Sequence, residues 1–133
     1  MISLDTSAVL DFIENLESTD RCFRKIREYG GMMSAAVFAE LVFTLRRMHG
    51  PDEAAEAVSL IEEYPQLSIA NITPDIAKFA GVLRDKYYHR SKRPLSYIDC
   101  INLATAIIHG AKSFVTSDSN FVGVEEIHVD KYR

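Results

Sequence analysis

Four carboxylates in this sequence, Asp5, Glu40, Asp99 and Asp118, fall at element ends or in otherwise uncharged helices. Asp5 closes the run MISLD just before a helical segment, where free N–H groups and the helix dipole stabilise a negative charge. Glu40 is the only charged residue between Gly31 and Arg46, in a stretch of apolar and small side chains, so its carboxylate is expected to be at least partly buried. An ion pair with Arg46, or with Arg47 about two turns further on, is the structural alternative. Asp99 opens a helix with no other formal charge before Lys112, and Asn102 falls on the same face one turn later. Ser96-Tyr97-Ile98-Asp99 also fits a capping box, which would account for Asp99 without chemistry. Asp118, in Thr116-Ser117-Asp118-Ser119-Asn120, reads alone as a turn residue, yet that turn directly follows the apolar run SFV.

Brought together, four ionised carboxylates would repel unless they took up protons or bound cations. Oxygen-only ligation without a Cys or His partner favours Mg²⁺ or Mn²⁺ over zinc. The histidines show no HxxxH or HExxH spacing, and Cys22 and Cys100 form no CxxC pair, which leaves a Cys/His metal site without support. A formal net charge of -4 disfavours a broad basic surface that would hold nucleic acid by phosphate contacts alone. Bound cations would supply the missing positive charge, hold a phosphodiester, acidify a water and stabilise a leaving oxygen.

The elements that must position these acids alternate between strand and helix. MISLD reads as a buried strand, with Thr6 and Ser7 capping the helical AVLDFIENL, and a second helix is expected from Ser18 to Tyr29. Gly30-Gly31 ends it before a brief strand at Met32-Met33, and Ser34 caps a third helix that places Val37, Leu41, Thr44, Leu45 and Met48 on one side and stops at Gly50-Pro51. A fourth helix is expected from Asp52 to Tyr64, a strand at LSIA, a helix from Thr73-Pro74-Asp75 to Tyr88, and an exposed basic stretch over 84–93. Ser96 starts the next helix, Gly110 ends it before the strand KSFVT, and a last strand is expected over Glu126 to Val129. Such alternation implies an α/β fold of three layers, α/β/α, around a mainly parallel sheet, with a site beyond the carboxyl ends of the strands where strand order reverses.

At 133 residues, with no repeat or linker, residues 1–133 are read as one domain. No uncharged run is long and apolar enough to cross a bilayer, and the start MISLD shows no basic segment followed by an apolar one, so a cytoplasmic protein is expected.

The segments ISLDTSAVL, AAVFAELVF, SYIDCINLATAII and FVTSDSNF, in this order and spacing, resemble the PIN domain family over essentially the whole chain. Their compact arrangement is similar to the VapC toxins, small ribonucleases paired with antitoxins. The resemblance implies that Asp5, Glu40 and Asp99 are core ligands of a catalytic Mg²⁺ or Mn²⁺ and that Asp118 completes the cluster. Thr6 and Thr116 would orient carboxylates, and Asn102 would lie in the layer behind the ligands. A further acid often follows the fourth in this family; here Asn120 stands, which bears on a second metal. The implied reaction is hydrolysis of single-stranded RNA to a 5′-phosphate and a 3′-hydroxyl. A VapB-like antitoxin and a homodimer are the implied partners. A nuclease of RNA processing and a non-catalytic binding module are the other readings that the family leaves open.

For the RNA backbone, Arg84, Lys86, Arg90, Lys92 and Arg93, interleaved with Tyr87 and Tyr88, are the candidate contacts, with Arg21, Arg24, Lys25 and Arg27 as a second basic cluster. A solvated helix end explains the first cluster equally well. Apolar positions on the fourth helix suit either core packing or a dimer face. A phosphatase using Asp5 as nucleophile is disfavoured, since DxDxT would need an acid at position 7, which is Ser.

Overall fold

Alternating short apolar runs and amphipathic segments resolve into one sheet with helices on both faces. The computed structural model describes residues 1–14 and 20–132. Strands β1 (Ile2–Leu4), β2 (Gly31–Ser34), β3 (Leu67–Ala70), β4 (Ser113–Thr116) and β5 (His128–Lys131) pair in parallel throughout, in the order β3-β2-β1-β4-β5. The helices are α1 (Thr6–Glu14), α2 (Asp20–Tyr29), α3 (Ala35–His49), α4 (Pro51–Glu63), α5 (Pro74–Tyr87) and α6 (Tyr97–Ile108). Parallel sheets need cover on both faces. One face packs Ile2, Leu4, Met33, Leu67 and Val115 against apolar residues of α1 to α4, and the other packs Phe114 against α5 and α6. The result is the expected three-layer α/β/α arrangement around a parallel sheet. None of the described helices is long and apolar enough to cross a membrane.

Local chemistry fixes most boundaries. Ser34 Oγ accepts from Val37 N at 3.1 Å to start α3, and Gly50, at φ 82, turns the chain so that Pro51 can open α4. Thr73 Oγ1 accepts from Ile76 N at 3.2 Å at the head of α5.

Several expectations are corrected. The first helix begins at Thr6, not after a Thr6-Ser7 cap, because Asp5 already offers its carboxylate to Thr6 N and its carbonyl to Val9 N. Expected ends of elements at Asn15, Leu16 and Ser18 lie outside the described residues. Met48 does not share the buried side of α3: it is exposed, while Val37, Leu41 and Leu45 are fully covered. The last strand starts at His128, two residues later than expected, since Ile127 packs into the core ahead of it and buried Asp130 is matched by Lys25.

Candidate active site

Strand order reverses at β1, whose neighbours are β2 on one side and β4 on the other, and this reversal opens a crevice at the carboxyl ends of β1 and β4. Asp5 stands directly on that edge. Its N–H donates to Val115 O at 2.9 Å, which continues the ladder to β4, and its carbonyl accepts from Val9 N at 3.1 Å, which starts α1. Its two carboxylate oxygens are both held: Oδ1 by Thr6 N at 2.9 Å and Oδ2 by Thr116 Oγ1 at 2.7 Å. Burial raises the Asp5 pKa; the bonds from Thr116 and Thr6 oppose the rise, and the charges of Asp99 and Asp118 add to it.

Glu40 reaches the same edge from α3. Its Oε2 accepts from Thr6 Oγ1 at 3.3 Å, so the side chain leans across to α1 instead of turning along its own helix toward Arg47. Glu40 was expected to be at least partly buried; the residue as a whole is exposed, while burial of its carboxyl end removes water from the charge. That desolvation, with the charges of Asp5 and Asp99, raises its pKa against the bond from Thr6.

Asp99 arrives from the first turn of α6. The capping box is real: Ser96 N donates to Asp99 Oδ2 at 2.9 Å, and Asp99 N donates to Ser96 Oγ at 3.0 Å. The cap occupies one carboxylate oxygen and fixes the side chain's direction. Asp118 follows β4. Its N–H donates to Thr116 Oγ1 at 3.0 Å and its Oδ1 accepts from Asn120 N at 2.8 Å, which makes it both the expected turn residue and a neighbour of Asp5. The Thr116 hydroxyl therefore joins Asp5 and Asp118 directly.

Asn102, one turn after Asp99 on α6, is 2% exposed. Its Oδ1 accepts from Ser34 Oγ at 2.5 Å, while its Nδ2 is a buried donor with no hydrogen-bond partner. An orphaned amide donor costs about 1–3 kcal/mol and suits an anion or a water at the acidic edge. Ser34 was legible as a helix cap but not as the group that orients Asn102, because the two are joined only by the packing of α6 against β2.

Among the described residues, no three Asp, Glu, His or Cys side chains are gathered closely enough to enclose a metal ion unaided. The donor chemistry nevertheless fits a hard divalent cation. Magnesium keeps several waters and takes only one or two carboxylates directly, and an all-oxygen, negatively charged edge with a spare amide donor offers that kind of partly hydrated seat.

The basic stretch is dispersed by its own contacts. Arg84 is half-buried, with its guanidinium 4.2 Å from the Tyr88 ring centroid and 4.1 Å from that of Tyr97, and its Nε donates to Leu95 O at 3.1 Å. Lys86 meets Glu125 at 3.3 Å and Glu126 at 3.2 Å, and Arg93 donates to Val122 O at 2.6 Å. The stretch is thus not uniformly exposed: Arg84 and Arg93 brace the fold, and Arg90 and Lys92 stand exposed on the turn closed by the His89–Arg93 bridge. In the second cluster Lys25 pairs with Asp130.

A family model described as PIN domain matches residues 2–127. No curated protein sequence matches the chain. Among solved structures, VapBC2 from Rickettsia felis, bound to a DNA fragment from its promoter, is similar at a TM-score of 0.75 and 18% identity, covering 98% of each chain. A sarcin-ricin-loop-cleaving VapC toxin from Mycobacterium tuberculosis superposes at 0.72 with 20% identity, over 96% of this chain and 98% of that one. A toxin–antitoxin complex from Klebsiella pneumoniae gives 0.71 and 22%, over 96% and 95%.

Proposed function

The chain belongs to the PIN domain family, and on that premise we propose that it is a Mg²⁺- or Mn²⁺-dependent endoribonuclease, the toxin of a toxin–antitoxin pair. The observation that supports this reading is that Asp5, at the carboxyl end of β1, lies within reach of the charges of Asp99 and Asp118, and Glu40 within reach of those of Asp5 and Asp99. Acids from three helix or strand ends and one helix interior do not share an edge for the sake of stability, because their mutual repulsion opposes folding.

Each side chain has a separable task. Asp5, clamped at both oxygens, is the most rigid of the four. Thr6 couples Asp5 to Glu40 by donating its N–H to one and its hydroxyl to the other. Asp99 keeps one oxygen on the cap and can turn the other toward the crevice. Asn102 Nδ2 is a buried donor available to a water held behind the carboxylates. When bound, the divalent cation supplies positive charge to the phosphodiester and makes water more acidic. Fixing carboxylates by such outer contacts commonly controls 10- to 100-fold in affinity or activity.

The toxin reading draws on likeness to the toxin–antitoxin complex from Klebsiella pneumoniae, and it implies a short antitoxin partner for this chain. A homodimer is part of the same reading; exposed Leu60 on α4 is available to it. The test is incubation of purified protein with structured and single-stranded RNAs in Mg²⁺, Mn²⁺ or EDTA, with Asp99→Asn alongside. Cleavage by the wild type in either metal alone supports the reading. Full activity in EDTA, or wild-type activity in Asp99→Asn, would remove it.

A further inference from the structure

A cleft of about 480 Å³ lies between α5 and the start of α6, lined by Gly81, Arg84, Asp85, Tyr88 and Tyr97. The Arg84 guanidinium stands between the two tyrosine rings and is fixed from behind by its bond to Leu95 O. Tyr97 is the first residue of α6, in the same turn as Asp99, and is 65% exposed, so a large aromatic surface faces solvent at the head of the helix that carries that acid. Gly81 sits within α5, where glycine weakens a helix, yet a Cβ there would meet nothing within 4 Å. Packing does not require that glycine, and its lack of a side chain keeps the floor of the cleft open.

We propose that this cleft receives one unpaired nucleobase of the RNA strand whose backbone crosses the acidic edge, with Tyr97 as the stacking platform and Asp85 as the acceptor for the base's amino group. The inference rests on the nuclease reading, which supplies the strand. Aromatic rings held by an arginine are the recurring platform for unstacked bases, and every base has a face to offer them. The Arg84 charge complements the strand's phosphates. The exposed carboxylate of Asp85 accepts from N–H₂ groups, which adenine, guanine and cytosine carry and uracil lacks. The cleft is therefore a specificity-determining subsite that disfavours uracil.

Binding is separated from cleavage by working in Ca²⁺, which neutralises the acidic edge, for times over which a gel shows the strands intact, with fluorescein-labelled hexaribonucleotides, oligo(A), oligo(C) and oligo(U), read by anisotropy. The expected order places oligo(A) and oligo(C) ahead of oligo(U). Tyr97→Ala weakens the first two by at least about fivefold, the lower bound of base–aromatic stacking. Tyr97→Phe retains the wild-type affinity, and Asp85→Asn narrows the gap to oligo(U). Tyr97 is exposed at a helix start, so its replacement leaves the fold intact; a far-ultraviolet circular dichroism spectrum confirms this. Affinity of Tyr97→Ala within twofold of wild type, or no measurable binding of any hexamer by wild type, overturns the subsite. The nuclease reading fails separately, if wild type in Mg²⁺ or Mn²⁺ cleaves no RNA.

Discussion

Thr116 Oγ1 donates to Asp5 Oδ2 at 2.7 Å, across the two strands that flank the reversal of strand order, and the same hydroxyl accepts from Asp118 N at 3.0 Å. One buried hydroxyl thus sets both strand-end acids. Thr116→Val keeps the shape, removes the hydroxyl and leaves two polar groups unpaired. The expected cost is roughly 1–3 kcal/mol in urea unfolding. RNA cleavage is expected to fall about 10- to 100-fold.

Asp99→Asn retains an oxygen for the Ser96 cap while removing a charge felt by Asp5 and Glu40. Thermal unfolding in EDTA should show a melting temperature equal to or above that of wild type. Cleavage should drop by more than the roughly 100-fold that marks loss of an outer contact. A lower melting temperature would show that the cap, not the charge, is what Asp99 contributes.

The raised carboxyls set a pH dependence with a defined sign. Asp5 and Glu40 hold protons more tightly when folded than at their ordinary values of 3.8 and 4.5. The stability they contribute is fully present below those values and is lost as pH rises from there through the raised folded values. In EDTA, Glu40→Gln should therefore gain on wild type as pH climbs above about 4.5. Mg²⁺, which binds the ionised form, should reverse the trend for wild type. Parallel pH profiles for the two proteins would contradict the electrostatic account.

Gly81→Ala should raise stability by roughly 0.5–1 kcal/mol, since the helix loses a flexible residue and the new methyl meets nothing within 4 Å. Chemical denaturation with both proteins measures it.

The fold was largely legible because its signals are local. Ser34, Gly50-Pro51, Thr73-Pro74 and Ser96 each punctuate the chain by their own backbone chemistry. What the sequence did not disclose depends on partners far along it. The strand at His128–Lys131 looks polar until Asp130 is matched with Lys25. Glu40 was expected to be at least partly buried because its helix neighbours are apolar, yet the residue is exposed, and its bond from Thr6 depends on the packing of α3 against α1. Arg84 read as a surface cation, and its fixation between Tyr88 and Tyr97 needs α5 and α6 side by side. The four acids were readable one by one, and their grouping was expected only from the family resemblance and the reversal of strand order, not from any local signal.

The central claim, that these acids form one metal site, is tested most directly by Mn²⁺ titration followed by electron paramagnetic resonance. Wild-type protein should bind the ion, and Asp5→Asn, Glu40→Gln, Asp99→Asn and Asp118→Asn should each weaken it by about tenfold or more. Wild-type affinity in all four variants would contradict the claim.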